Sequence, residues 1–114
     1  TAKNAAATLG CNVSMELRPG YPPTLNHESD ALFARDIITE MLGADGLETS
    51  MTPVMGAEDF SFMLAKKPGA YVWLGAGLQS ENLHSPHFDF NDDLLPIGAS
   101  FWVQLAQSKL TQST

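Results

Sequence analysis

Basic residues are scarce in this chain: six Lys and Arg stand against thirteen Asp and Glu, for a net charge of −7. That balance repels phosphate backbones and anionic lipid, so neither nucleic acid nor a membrane surface is an expected partner. Cysteine is scarcer still. Cys11 has no second thiol with which to form a disulfide, a zinc ribbon or a redox pair, which points to a reducing compartment, the cytoplasm. No apolar run reaches the roughly 18 residues of a membrane-spanning helix, and no charged stretch followed by an apolar block marks a signal peptide. Internal repeats and low-complexity segments are also missing. What is present is core material, with 44% of the 114 residues hydrophobic, enough for one ordinary domain.

The first ten residues, Thr1-Ala-Lys-Asn-Ala-Ala-Ala-Thr-Leu-Gly10, read as the last turns of an Ala-rich helix stopped by a glycine that tolerates positive φ. A helix without its start suggests a piece of a longer chain. From Cys11 to Arg18 apolar and polar residues alternate, with Val13, Met15 and Leu17 on one face, which predicts a half-buried strand. Pro19-Gly20 and Pro22-Pro23 then force an extended connector, the best candidate for a domain boundary.

Beyond the connector, Asn26 is a candidate cap for a helix over about 28–42, in which Phe33, Ile37 and Met41 form an apolar stripe up to Gly43. Leu47 to Met51 reads as a short strand. Gly56-Ala-Glu-Asp59 opens a second helix that ends at Lys66, Lys67 and Pro68-Gly69, with its carboxylates at the positive dipole end. Ala70 to Leu74 is a continuous apolar run between breakers and predicts a buried strand ending at Gly75-Ala-Gly77. A long loop over 79–93 leads to a final helix capped by Asp92 or Asp93, with Pro96 in its first turn and Ile97, Phe101, Leu105, Leu94 and Trp102 facing a core. The tail from Lys109 onward is expected to fray. Helix, strand, helix, strand, helix after residue 26 implies an α/β arrangement.

Chemistry-bearing residues concentrate in Leu83-His-Ser-Pro-His-Phe-Asp-Phe90, a loop at the C-terminal end of the buried strand, where α/β proteins commonly assemble sites. Pro86 favours an extended Ser85, which would send His84 and His87 to opposite sides, so at most one of them enters a common site. A loop histidine is often only a polar surface residue. Glu58 and Asp59 could face a substrate, yet acidic residues in a first turn are expected from capping and the dipole alone. Gly75 and Gly77 could allow close approach of a ligand or merely make a turn. Trp73, Trp102 and the phenylalanines read as core, His27 as exposed, and Cys11 as a packing residue.

Taken in order, Tyr21-Pro-Pro-Thr-Leu-Asn26, Met55-Gly-Ala-Glu-Asp-Phe-Ser61, Pro68-Gly-Ala-Tyr71, Leu74-Gly-Ala-Gly77, His84-Ser-Pro-His-Phe-Asp89 and Leu95-Pro-Ile-Gly98 resemble the C-terminal part of the amidohydrolases that include hippurate hydrolase, indole-acetyl-amino-acid hydrolases and N-acyl-amino-acid amidohydrolases. The resemblance covers nearly the whole chain. It implies an α/β catalytic domain of the zinc-peptidase kind with an inserted α+β lid that often mediates dimerisation. Residues 1–20 would be the end of the lid, and 21–114 the closing part of the catalytic domain, with the connector as hinge.

The same resemblance implies metal-dependent hydrolysis of the amide in small-molecule N-acyl amino acids, using two divalent ions drawn from zinc, manganese, cobalt or nickel. His84 matches the family's last metal ligand, Glu58 and Asp59 an acidic pair near the substrate, and Gly75 to Gly77 a wall beside it. His87 falls at a position that varies in the family. The remaining ligands and the catalytic Glu belong to a part of the family absent here, so this chain alone is expected to be inactive, to bind its metals incompletely and to self-associate. A non-catalytic binding or dimerisation module, pairing through the strand at 11–18, is the alternative. An unrelated small acidic α/β domain is the third reading.

Overall fold

The computed structural model describes residues 1–111. Its regular elements are helices: α1 Ala2–Thr8, α2 Glu28–Leu42, α3 Phe60–Leu64 and α4 Leu94–Thr111, with a single 3₁₀ turn at Ala44–Gly46. No strand forms among the described residues, so the stretches at 11–18, 47–51 and 70–74 are strands only in pattern. The physical reason is that a strand is a pairing and not a local property: its backbone groups need a ladder partner, and none is present for these stretches. The α/β layers expected from the sequence are accordingly not assembled.

α2 forms over the predicted residues. Ala34 and Ile37 are buried on its inner face, and Gly43 N–H closes the helix on Thr39 O at 2.9 Å. The turn that follows requires glycine at 46, because a Cβ there would lie 2.6 Å from Leu42 Cβ. α2 packs against α4. Along α4, Leu94, Ile97, Phe101 and Leu105 are half-buried, three or four residues apart, on one side. The α4 helix runs through Lys109, where fraying was expected, and the Lys109 ammonium lies 4.9 Å from the centre of the Phe33 ring. That cation–π contact ties the end of α4 to α2. Residues 112–114 of the expected frayed tail lie outside the described residues.

α1 also matches expectation: Gly10 has φ 68°, and Cys11 N–H returns to Ala6 O at 2.9 Å. α1 packs on no other helix among the described residues. The second predicted helix is shorter than its signals, since Gly56 to Asp59 precede α3 instead of opening it. Buried hydrophobic side chains are few, namely Ala34, Ile37 and Leu64, and the radius of gyration is 20.6 Å against about 13 Å for a compact domain of this length. Side chains read as core are open to solvent, with Trp73 56% and Trp102 66% exposed, and Cys11 is exposed as well. No helix among the described residues is long and apolar enough to cross a membrane.

Candidate functional site

The site region is organised by side chains that replace missing ladder bonds. Asn26, expected to cap α2, instead reaches across to the stretch after α3: its Nδ2 donates to Tyr71 O at 2.9 Å, and its Oδ1 accepts from Tyr71 N–H at 2.7 Å. The next residue continues the pairing. His27 N–H donates to Gly69 O at 3.0 Å, and His27 Nδ1 accepts Gly69 N–H at 3.3 Å. The cap position of α2 falls on His27, which makes no side-chain capping bond.

The acidic pair sits just ahead of α3. Glu58 Oε1 accepts from Phe60 N–H at 3.0 Å, Glu58 Oε2 accepts from the Tyr71 hydroxyl at 3.0 Å, and the buried Ser61 hydroxyl donates to Glu58 O at 2.5 Å. These donors, the Phe60 amide first and the Tyr71 hydroxyl second, hold the Glu58 carboxyl below its ordinary range. In return the carboxylate, with partial burial, pushes the Tyr71 phenol above its ordinary range. Tyr21, in the connector, is likewise pushed up by the neighbouring Asp59 carboxylate, and its ring lies tilted against that of Phe62, centres 5.5 Å apart. Phe60, Tyr71 and Trp73 continue the aromatic contacts, with successive ring centres 5.8 Å apart. Each acidic residue thus has a tyrosine near it from a separate stretch of chain, and only Glu58 accepts a bond from its own. Glu58 stays ionised with both oxygens occupied, which suits a tether and not a proton carrier.

From Tyr71 the chain runs to Gly75-Ala-Gly77, where Gly77 takes φ 101° and both glycines border open space. The histidine loop that follows does not carry His84 and His87 on the one extended run expected of it. It is two successive turns, closed by Ser85 N–H on Asn82 O at 3.0 Å and by Phe88 N–H on Ser85 O at 3.1 Å, with Ser85 Oγ also accepting His87 N–H at 3.2 Å. His84 has φ 69°, the one non-glycine positive φ among the described residues. Histidine enters this left-handed region more readily than bulkier residues but still at a steric cost. Both imidazoles are exposed, and no side chain among the described residues hydrogen-bonds that of His84.

No group of three or more His, Cys, Asp or Glu able to hold a metal ion occurs among the described residues. An exposed imidazole fits a divalent metal as one donor of a set, and a single donor does not make a site. His84 is therefore suited to complete a metal centre and insufficient to form one. The structure joins Glu58 to Tyr71 and sets Asp59 near Tyr21, and no hydrogen bond among the described residues links His84 or the Gly75–Gly77 turn to either acid. Reasoning from sequence missed Asn26, Tyr21 and Tyr71 as organising residues. An Asn ahead of a helix carries the same signal whether it caps or reaches away, and the tyrosines lay in stretches read as connector and core.

Comparison with known proteins agrees with the ordered motifs. Peptidase family M20/M25/M40 matches residues 3–108. The chain is 35% identical to IAA-amino acid hydrolase ILR1-like 5 of Arabidopsis thaliana over 112 residues, covering 91% of this chain and 26% of that protein. It is 35% identical to the hippurate hydrolase of Campylobacter jejuni over 88 residues, covering 75% and 22%. To the N-acetyldiaminopimelate deacetylase of Streptococcus suis it is 34% identical over 97 residues, covering 83% and 25%. The chain spans about a quarter of the length of these relatives. Their names describe hydrolases of amide bonds, and the family is generally metal-dependent. The chain belongs to peptidase family M20/M25/M40.

Proposed function

We propose that the protein of which this chain is part hydrolyses the amide bond of small N-acyl amino acids, with His84 supplying one imidazole donor to a centre of two divalent ions. The observation that carries the reading is the conformation of His84: an exposed imidazole with no side-chain hydrogen bond among the described residues, held at φ 69° in a doubly turned loop. A cost accepted in the backbone at a surface loop is accounted for when the side chain it presents is used. Relatives named IAA-amino acid hydrolase, hippurate hydrolase and N-acetyldiaminopimelate deacetylase support this substrate class.

The ions, when bound, polarise the amide carbonyl and supply hydroxide near neutral pH. Zinc, manganese, cobalt and nickel all suit an imidazole and carboxylate donor set. The chain's own residues do the holding. Asn26 and His27 fix the stretch at 69–71, Glu58 and Asp59 anchor the start of α3 beside the substrate, and Gly75 and Gly77 leave room for substrate along one wall. Residues outside this chain supply the other ligands and the proton-transferring carboxylate, and the working protein is a cytoplasmic homo-oligomer.

The test is hydrolysis of N-acetyl, N-benzoyl and N-indoleacetyl amino acids by the complete reading frame, with and without a chelator. Chelator-sensitive release of free amino acid is expected from the complete protein and none from residues 1–114 alone. Release by the isolated chain, or chelator-resistant release by the complete protein, would sink the reading.

A further inference from the structure

The loop that carries His84 has a clasp at its neck. It leaves the chain at Ala76 and returns at Asn91, and the Nδ2 of Asn91 donates to Ala76 O at 3.3 Å, spanning 15 positions of sequence in one partly buried hydrogen bond. The other half of the same amide works in the opposite direction: Oδ1 accepts Asp93 N–H at 3.1 Å, while the Asn91 carbonyl accepts Leu94 N–H at 3.0 Å. One side chain therefore fastens the glycine turn, where the loop departs, to the first turn of α4, where it ends. Leu74, just before the departure point, lies beside Gly98 of α4, 3.8 Å from where a Cβ would stand, so the neck also rests on the helix. Within the loop the bonds are local turns, at Gly77–Ser80, Asn82–Ser85 and Ser85–Phe88. Such turns shape the loop without fixing where it stands. A compact loop whose ends are held together is placed by its neck.

We propose that Asn91 is a positioning residue for His84, acting through the Ala76 clasp and not by touching metal or substrate. This rests on the reading of His84 as a metal donor. Outer groups that orient a ligand typically change metal affinity ten- to a hundredfold. The two bonds of Asn91 allow placement to be separated from folding. Asn91→Asp retains an acceptor for Asp93 N–H but turns an oxygen, in place of the donor, towards Ala76 O. Asn91→Ser retains a shorter neutral acceptor that cannot reach Ala76.

The experiment uses the complete reading frame, stripped of metal, and measures Co²⁺ affinity by calorimetry, amide hydrogen exchange over residues 78–90, and the thermal midpoint. For both Asn91→Asp and Asn91→Ser the expected result is about tenfold weaker Co²⁺ binding and about tenfold faster exchange in the loop, with the midpoint close to that of the parent. Agreement between the charged and neutral variants shows that the lost donor, and not an added charge, is responsible. His84→Ala weakens Co²⁺ binding further while leaving exchange over residues 78–90 at the parent rate. If His84→Ala loses affinity and both Asn91 variants keep that of the parent, the clasp does not position His84, and the metal reading stands. Unchanged Co²⁺ affinity in His84→Ala overturns the metal reading and this proposal with it.

Discussion

Asn26 meets Tyr71 as a neighbouring strand would, its side-chain amide donating to the Tyr71 carbonyl at 2.9 Å and accepting from the Tyr71 amide at 2.7 Å. A polar side chain thus supplies both backbone bonds of a ladder rung that no strand among the described residues provides. With His27 paired to Gly69, the start of α2 is sewn to the stretch leading to the site.

Replacing Asn26 with Ala removes both bonds, and the expected loss of stability is about 1 kcal/mol, limited because the pair is open to water. Asn26→Asp keeps the acceptor for Tyr71 N–H and turns an oxygen towards Tyr71 O, so its loss is at least as large. Hydrogen exchange at the Tyr71 amide separates the two. It accelerates in Asn26→Ala and stays slower in Asn26→Asp, and equal rates in both would show that the amide is not held by Asn26.

The link between Glu58 and Tyr71 sets a pH window. The carboxyl of Glu58 is depressed in the fold, so its contribution is present above the ordinary carboxylate range and is lost as pH falls through the depressed value. Tyr71 is shifted upward, so its contribution is present below the ordinary phenol range and is lost as pH rises through the raised value. Following phenolate absorbance, Glu58→Gln is expected to lower the titration midpoint of Tyr71 towards its ordinary value and that of Tyr21 to a smaller degree. A titration unchanged by that substitution contradicts the contact.

At His84 the positive φ makes a prediction independent of metal. Gly at this position relieves the steric cost, while a β-branched residue increases it, each by about 1 kcal/mol. His84→Gly should therefore raise the thermal midpoint of the metal-free protein and His84→Val lower it. A lower midpoint in His84→Gly would mean that the imidazole has a structural partner.

α4 is apolar on two sides. The side bearing Leu94, Ile97, Phe101 and Leu105 is half-buried, and the other presents Leu95, Trp102, Val103 and Leu110 to solvent. A helix apolar on two sides is one that is normally covered on both. Residues 1–114 alone are expected to associate with rising concentration in sedimentation experiments, and Trp102→Glu to shift them towards monomer with helicity retained. Concentration-independent monomer in the parent would contradict the exposure of this face.

The parts legible in the sequence are those whose causes are local. The stripe of Phe33, Ile37 and Met41 with Gly43 behind it specifies α2, and Pro96 ahead of Phe101 and Leu105 specifies α4, because helical bonds are made within a segment. The ordered blocks from Tyr21 to Gly98 carried the family. Pairing was not legible. The alternation of Val13, Met15 and Leu17 is a strand pattern that nothing among the described residues pairs, and the role of Asn26 depends on Tyr71, 45 positions away. The positive φ of His84 gave no signal either, because it arises in the turn closed by Ser85 N–H on Asn82 O, which no glycine marks in the sequence.

We propose His84 as a metal donor of a hydrolase centre. Its most direct test is the metal content of the complete protein after loading with zinc and removal of free ions, compared between the parent and His84→Ala at matched folding. Two ions per chain are expected in the parent and fewer in His84→Ala; two ions in both would overturn the assignment of His84.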